Sequence, residues 1–132
     1  LKDVERVYNL FKDDFYIDRN SILQAVQSQG LFNVIHNKFV VKVDFIIRKD
    51  TKYRKTEFNR RRKIYIEKTD IYIVSAEDLI LSKLFWAKDF RSSTQLTDVR
   101  NILESVKNLD MNYLKFWVRE LKLEEIFDEA LG

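Results

Sequence analysis

The chain has 132 residues, of which 45% are hydrophobic and 14% aromatic, and its formal net charge is +3. It is long enough to bury one real core and too apolar to be disordered. It has no cysteine, which removes disulfide frameworks, thiol nucleophiles and thiolate metal sites, and no apolar run long enough for a bilayer.

Only Gly30 and Gly132 are glycines and proline is absent, so no glycine-rich loop is present to cradle phosphates. No secretory segment is visible, and a cytoplasmic protein with no membrane partner is the expectation. The chain starts in helical sequence at Leu1 without methionine. The expectation is that an upstream part of the protein is missing from it.

Val4, Val7, Tyr8 and Phe11 recur at helical spacing and predict a helix over residues 2–12. Phe15 to Ile17 reads as a short strand. Asp18 is a candidate N-cap for a helix carrying Ile22, Leu23 and Val26, which Gly30 stops. A hairpin follows, with strands Leu31–His36 and Phe39–Ile47 about an Asn37-Lys38 turn. Two-residue alternation puts Phe32, Val34, His36, Phe39, Val41, Val43, Phe45 and Ile47 on a core face. Asn33, Lys42 and Asp44 then share the other face with Leu31, Ile35, Val40 and Ile46.

Asp44 is a carboxylate inside an apolar strand. It is either the ion-pair partner of Lys42 or a neighbour-strand cation, or part of a site built on the sheet surface. After the hairpin, Thr56 to Arg62 reads as a short helix. Arg48 to Lys63 holds nine basic residues against Asp50 and Glu57, a local charge of +7 that leaves −4 for the rest. That segment is either a solvated face or a phosphate-binding surface, with Arg54, Lys55, Arg60, Arg61 and Arg62 as its candidate nucleic-acid contacts.

A second hairpin pairs Lys63–Glu67 with Ile71–Val74 across residues 68–70. Ser75 with Asp78 three residues on is a capping-box-like start for the strongest helix, which runs to about Phe90. Helices over 94–106, 111–121 and 123–131 complete the chain. The fold class is therefore α+β, a single domain. Residues 1–75 form a small mixed or antiparallel sheet with flanking helices, and 76–132 form a helical bundle.

Lys83 has Leu79, Ile80, Trp86 and Ala87 as its neighbours one turn away, so its ammonium must snorkel outward or meet an anion. Asp98 sits near the start of the next helix, where the helix dipole alone favours a carboxylate. Asp44, Lys83 and Asp98 make a chemically sensible set if the fold gathers them in one cleft.

The segments KVDFII, SAEDLILSKLFWA and TQLTDVRNIL, in this order, resemble the later motifs of minimal nucleotidyltransferase-fold proteins of the abortive-infection and toxin–antitoxin type. The resemblance implies that Asp44 is a metal-binding acid of the sheet and that Lys83 lies near nucleotide phosphates. It makes Asp98 the acid of the motif that follows, with Thr97 where that family has arginine. It also implies magnesium as cofactor and a nucleoside triphosphate as partner, with an RNA (such as a tRNA) or a protein as acceptor. The Gly-Ser turn and Asp-x-Asp strand of the family are not among these residues, and Asp13-Asp14 cannot replace them because adjacent residues point to opposite faces. The chain is thus expected to be an N-terminally incomplete member, inactive alone. The alternative is a non-enzymatic, antitoxin-like or regulatory module that binds nucleic acid or protein through residues 48–63. A nuclease fits less well, since Glu67 and Lys68 are adjacent and no Glu-x-Lys strand follows Asp44.

Overall fold

The computed structural model describes residues 2–90 and 92–132, with nothing said of the Phe90 side chain; Leu1 and Arg91 lie outside that description. Among the described residues the architecture is α+β, with two small antiparallel sheets and helices following them. The chain divides into two compact units that meet in sequence at Asp50–Thr51, so residue 75 falls inside the second unit.

In the first unit, α1 (Lys2–Phe11) and α2 (Arg19–Ser28) pack with a three-stranded sheet of β1 (Phe15–Tyr16), β2 (Leu31–His36) and β3 (Lys42–Ile46), in the order β1-β2-β3. Asp18 caps α2 by accepting from the N–H groups of Asn20 and Ser21. The Ser21 hydroxyl also donates to it, and these bonds hold its carboxyl below the usual aspartate range. The helix ends on Gln29, which itself takes the left-handed conformation (φ 51°), rather than on Gly30. The core consists of Val4, Ile22, Ala25, Phe32 and Val34, with Val7, Tyr8, Phe11, Phe15 and Phe45 against it.

The β2–β3 turn is longer than the two residues the sequence suggests. His36 pairs with Val41 through its N–H (2.9 Å), and Val40 turns at φ 55°. The His36 Nδ1 accepts from the N–H groups of Lys38 and Phe39, which fixes the bend locally. The pairing slips by two residues relative to a tight Asn37-Lys38 turn. An even slip preserves the face of every side chain. Phe32 still stands opposite Phe45 and stacks on it at 4.9 Å, whereas Phe39 and Val41 are left exposed at the hairpin end.

The second unit begins with α3 (Lys52–Arg60), one turn earlier than expected because Thr51 accepts from the Arg54 N–H and caps it. β4 (Arg62–Ile66) and β5 (Thr69–Ile73) form a separate two-stranded hairpin, with Glu67 and Lys68 both at positive φ in its turn. Its register puts Ile64, Ile66, Ile71 and Ile73 on one face and Lys63, Tyr65, Asp70 and Tyr72 on the other. Four helices complete the unit: α4 (Ala76–Phe90), α5 (Ser93–Ser105), α6 (Met111–Glu120) and α7 (Glu124–Leu131).

The helical stripes supply the core of this unit. Ile80, Leu81, Leu84 and Ala87 of α4 meet Leu96 and Val99 of α5, Leu114, Trp117 and Val118 of α6, and Phe127 and Ala130 of α7. Tyr53 carries α3 into the same core, with its ring 5.0 Å from that of Trp117. No helix among the described residues is long and apolar enough to cross a membrane.

Candidate functional site

Lys83 does not snorkel to water. Its Nζ donates to Asp98 Oδ2 over 2.7 Å and to Gln95 Oε1 over 3.2 Å, so α4 and α5 deliver one ammonium, one carboxylate and one amide to a common point. Asp98 and Gln95 are three residues apart and therefore lie on one face of α5. The Lys83 side chain is 21% exposed and that of Asp98 41%, which leaves the pair at the rim of the bundle rather than inside it.

Asp44 stands in the first unit, on β3, directly opposite Asn33 of β2. Its Oδ1 lies 3.1 Å from the Lys42 ammonium, and both side chains are about half exposed. The Lys42 pairing that the strand spacing suggested is thus present.

The candidate basic contacts separate into three groups. Arg54 binds Glu57 at 2.7 Å and Ser82 Oγ at 3.2 Å, while Ser82 donates to the second Glu57 oxygen. Arg60 reaches Asp78 Oδ2 at 3.3 Å and Glu77 at 3.6 Å, with its guanidinium 3.7 Å over the Tyr113 ring. These two guanidiniums tie α3 to α4 and α6. Lys55 is exposed on α3, and Arg62 is exposed at the start of β4. The Arg61 guanidinium instead lies against aromatic rings, 3.8 Å from Phe58 and 4.7 Å from Tyr72.

Among the described residues the most buried charged group is Asp78, whose side chain has no solvent exposure. Ser75 Oγ donates to its Oδ2 over 2.7 Å, and its own N–H donates back to Ser75 Oγ over 3.1 Å. Tyr113 donates to Oδ1 over 2.7 Å. Three donors, one of them cationic, offset the desolvation of the carboxylate. Among the described residues, no buried side-chain nitrogen or oxygen lacks a partner. The capping-box spacing of Ser75 and Asp78 was legible in the sequence, but Tyr113 and Arg60 as partners were not. They come from other helices at sequence distances no local pattern encodes.

The side chains do not by themselves fit the magnesium that the sequence resemblance implies. Among the described residues no three His, Asp or Glu groups converge. Asp44 has an ammonium rather than a second carboxylate as its close charged neighbour, which opposes a cation there.

No family model matches this chain, and no curated protein or solved structure matches it either.

Proposed function

We propose that the chain is a nucleotidyltransferase-like protein that handles a nucleoside triphosphate and passes its nucleoside monophosphate to a hydroxyl of RNA or protein. The reading rests on the sequence motifs and on one observation, the delivery of Lys83 from an apolar helix face to Asp98 and Gln95. In this reading the Lys83 ammonium neutralises a phosphate oxygen, and Asp98 and Gln95 hold it in place before the nucleotide arrives. In the reaction the acceptor oxygen bonds to the α-phosphorus, pyrophosphate leaves, and the hydroxyl proton passes to a base. Asp44 is an exposed carboxylate on the sheet of the first unit, and the contact proposed at Lys83 does not draw on it. Magnesium belongs to this reading only with ligands beyond those found here, and the chain alone is expected to bind nucleotide without turning it over. The cytoplasm, where triphosphates are abundant, is the compartment the reading assumes.

Titration calorimetry with a nucleoside triphosphate, with and without magnesium, tests it. Lys83→Met is expected to lower the affinity about tenfold or more, as for a lost charge-assisted contact, and Lys83→Arg to retain most of it. Equal affinity in the wild type and Lys83→Met would remove the lysine, and with it this reading.

A second reading, a binding module without chemistry, is favoured by the exposed aromatic and basic side chains of α3 and the β4–β5 hairpin. It predicts no triphosphate affinity at Lys83 at all.

A further inference from the structure

The β4–β5 hairpin is unlike the rest of the second unit, because most of its aromatic and aliphatic side chains face water. Tyr65 is 69% exposed and Tyr72 58%, and Phe58, at the end of α3 beside the hairpin, is 48% exposed. Large aromatic rings left in solvent on a small domain mark a surface that meets something.

These rings are ordered around a cation. Arg61 links α3 to β4, and its guanidinium lies 3.8 Å from the Phe58 ring centroid and 4.7 Å from that of Tyr72. It also donates through Nη1 to the Phe58 carbonyl. Phe58, Arg61 and Tyr72 thus form one contiguous group, with Tyr65 diagonal to Tyr72 on the same hairpin face. Lys63 shares that face, its ammonium 2.6 Å from Asp70 Oδ2. Both partners of this ion pair are about half exposed, so it is weak and open to exchange. The surroundings are strongly basic, since residues 51–63 carry seven Lys and Arg against one acid, Glu57.

We propose that the Phe58–Arg61–Tyr72–Tyr65 face of the hairpin binds single-stranded nucleic acid, with unpaired bases stacked on the tyrosines and phosphates met by Arg61 and Lys63. Exposed ring faces alone suit many partners, but rings interleaved with cations match a polymer of alternating planar bases and anionic phosphates. Arg61 serves both parts, because a guanidinium resting against rings keeps its charge and further N–H donors for a phosphate. Stacking and phosphate contacts do not read base edges, so recognition through them is tolerant of sequence. This binding is independent of any transfer at Lys83.

The test is fluorescence anisotropy with a labelled mixed-sequence RNA of about twelve nucleotides, and the DNA of the same sequence, titrated by the intact chain at several salt concentrations. Tyr65→Ala with Tyr72→Ala is expected to weaken binding about thirtyfold or more while leaving the salt dependence unchanged. Replacing both by Phe should restore the affinity. Arg61→Ala is expected to weaken binding and to flatten the slope of log affinity against log salt by about 0.7. Asp70→Asn should strengthen it by removing the one acid of the face. Far-UV circular dichroism confirms that each variant is folded, since all four side chains are solvent-facing or at the hairpin end. Folded alanine variants that bind like the wild type overturn the proposal. So does a duplex competitor as effective as the single strand, or a polyglutamate peptide that displaces RNA as well as unlabelled RNA does. The last result would assign the face to an acidic polypeptide.

Discussion

Tyr113 on α6 gives its hydroxyl hydrogen to Oδ1 of Asp78 on the first turn of α4, 2.7 Å away and 35 residues earlier in the chain. The bond joins two helices at a carboxylate that solvent cannot reach, and Arg60 closes the group by stacking on the tyrosine while binding the other Asp78 oxygen. The helical unit is therefore fastened at one end by a polar cluster as well as by its apolar core.

Removing the Tyr113 hydroxyl strands one oxygen of that carboxylate. Tyr113→Phe is expected to destabilise the protein by about 1–3 kcal/mol, the cost of a buried polar group left without its donor. Urea denaturation measures it. A loss below about 0.5 kcal/mol would place the variant among ordinary surface changes and remove the bond from any account of stability.

The same cluster sets the response to alkali. Burial, then the hydrogen bond and charge of Asp78, raises the Tyr113 hydroxyl well above its ordinary value; burial, then the charges of Glu57 and Asp78, raises Tyr53. The fold prefers both neutral. Their contribution is complete below the unfolded tyrosine value of 10.0 and is lost as pH climbs above it. The urea midpoint is expected to fall between about pH 9 and pH 11, and to fall less in Tyr53→Phe. A midpoint flat across that window in the wild type contradicts the assignment.

Glu77 works in the opposite direction. Burial pushes its carboxyl up, but the Asp110 N–H, the Ser75 hydroxyl and the Arg60 charge together outweigh burial and hold it low. This contribution is present above the ordinary value of 4.5 and disappears as pH falls beneath it. Glu77→Gln should flatten the acid limb of the stability profile while leaving the alkaline limb alone. An acid limb as steep as the wild type's would show that other carboxylates set it.

Lys83 and Asp98 should contribute modestly to stability even if they matter for ligands. Their pair is partly open to solvent, so a double-mutant cycle with Lys83→Met and Asp98→Asn is expected to give a coupling of about 0.5–1 kcal/mol. Lys42 and Asp44, more exposed still, should couple by less than about 0.5 kcal/mol. A coupling of several kcal/mol at Lys83 would make the pair a structural tie and weaken the case for a phosphate contact.

Several elements were readable because their causes are local. Val4, Val7, Tyr8 and Phe11 announced α1, and Asp18 announced the start of α2. The alternation of β2 and β3 gave the right faces even though the turn did not fall where Asn37 suggested, because the real loop differs by an even number of residues. The start of α3 was misplaced because Thr51 makes a good cap ahead of a sequence with little apolar periodicity. At the candidate site, the sequence showed that Lys83 needed a destination and that Asp98 was a carboxylate near a helix start. Their meeting at 2.7 Å depends on how α4 packs on α5.

The order of residues by itself determined the α+β class, most element boundaries, the capping of α4 by Ser75 and Asp78, and the crowding of positive charge before the second hairpin. All of these follow from side-chain period, cap chemistry and composition, which act over a few residues. Only the tertiary structure decided which arginines are tied to carboxylates, as Arg54 and Arg60 are, and which lies along aromatic rings, as Arg61 does. The reason is physical: a guanidinium goes wherever packing brings an acid or a ring within a few ångströms, and that distance belongs to the packed helices and strands.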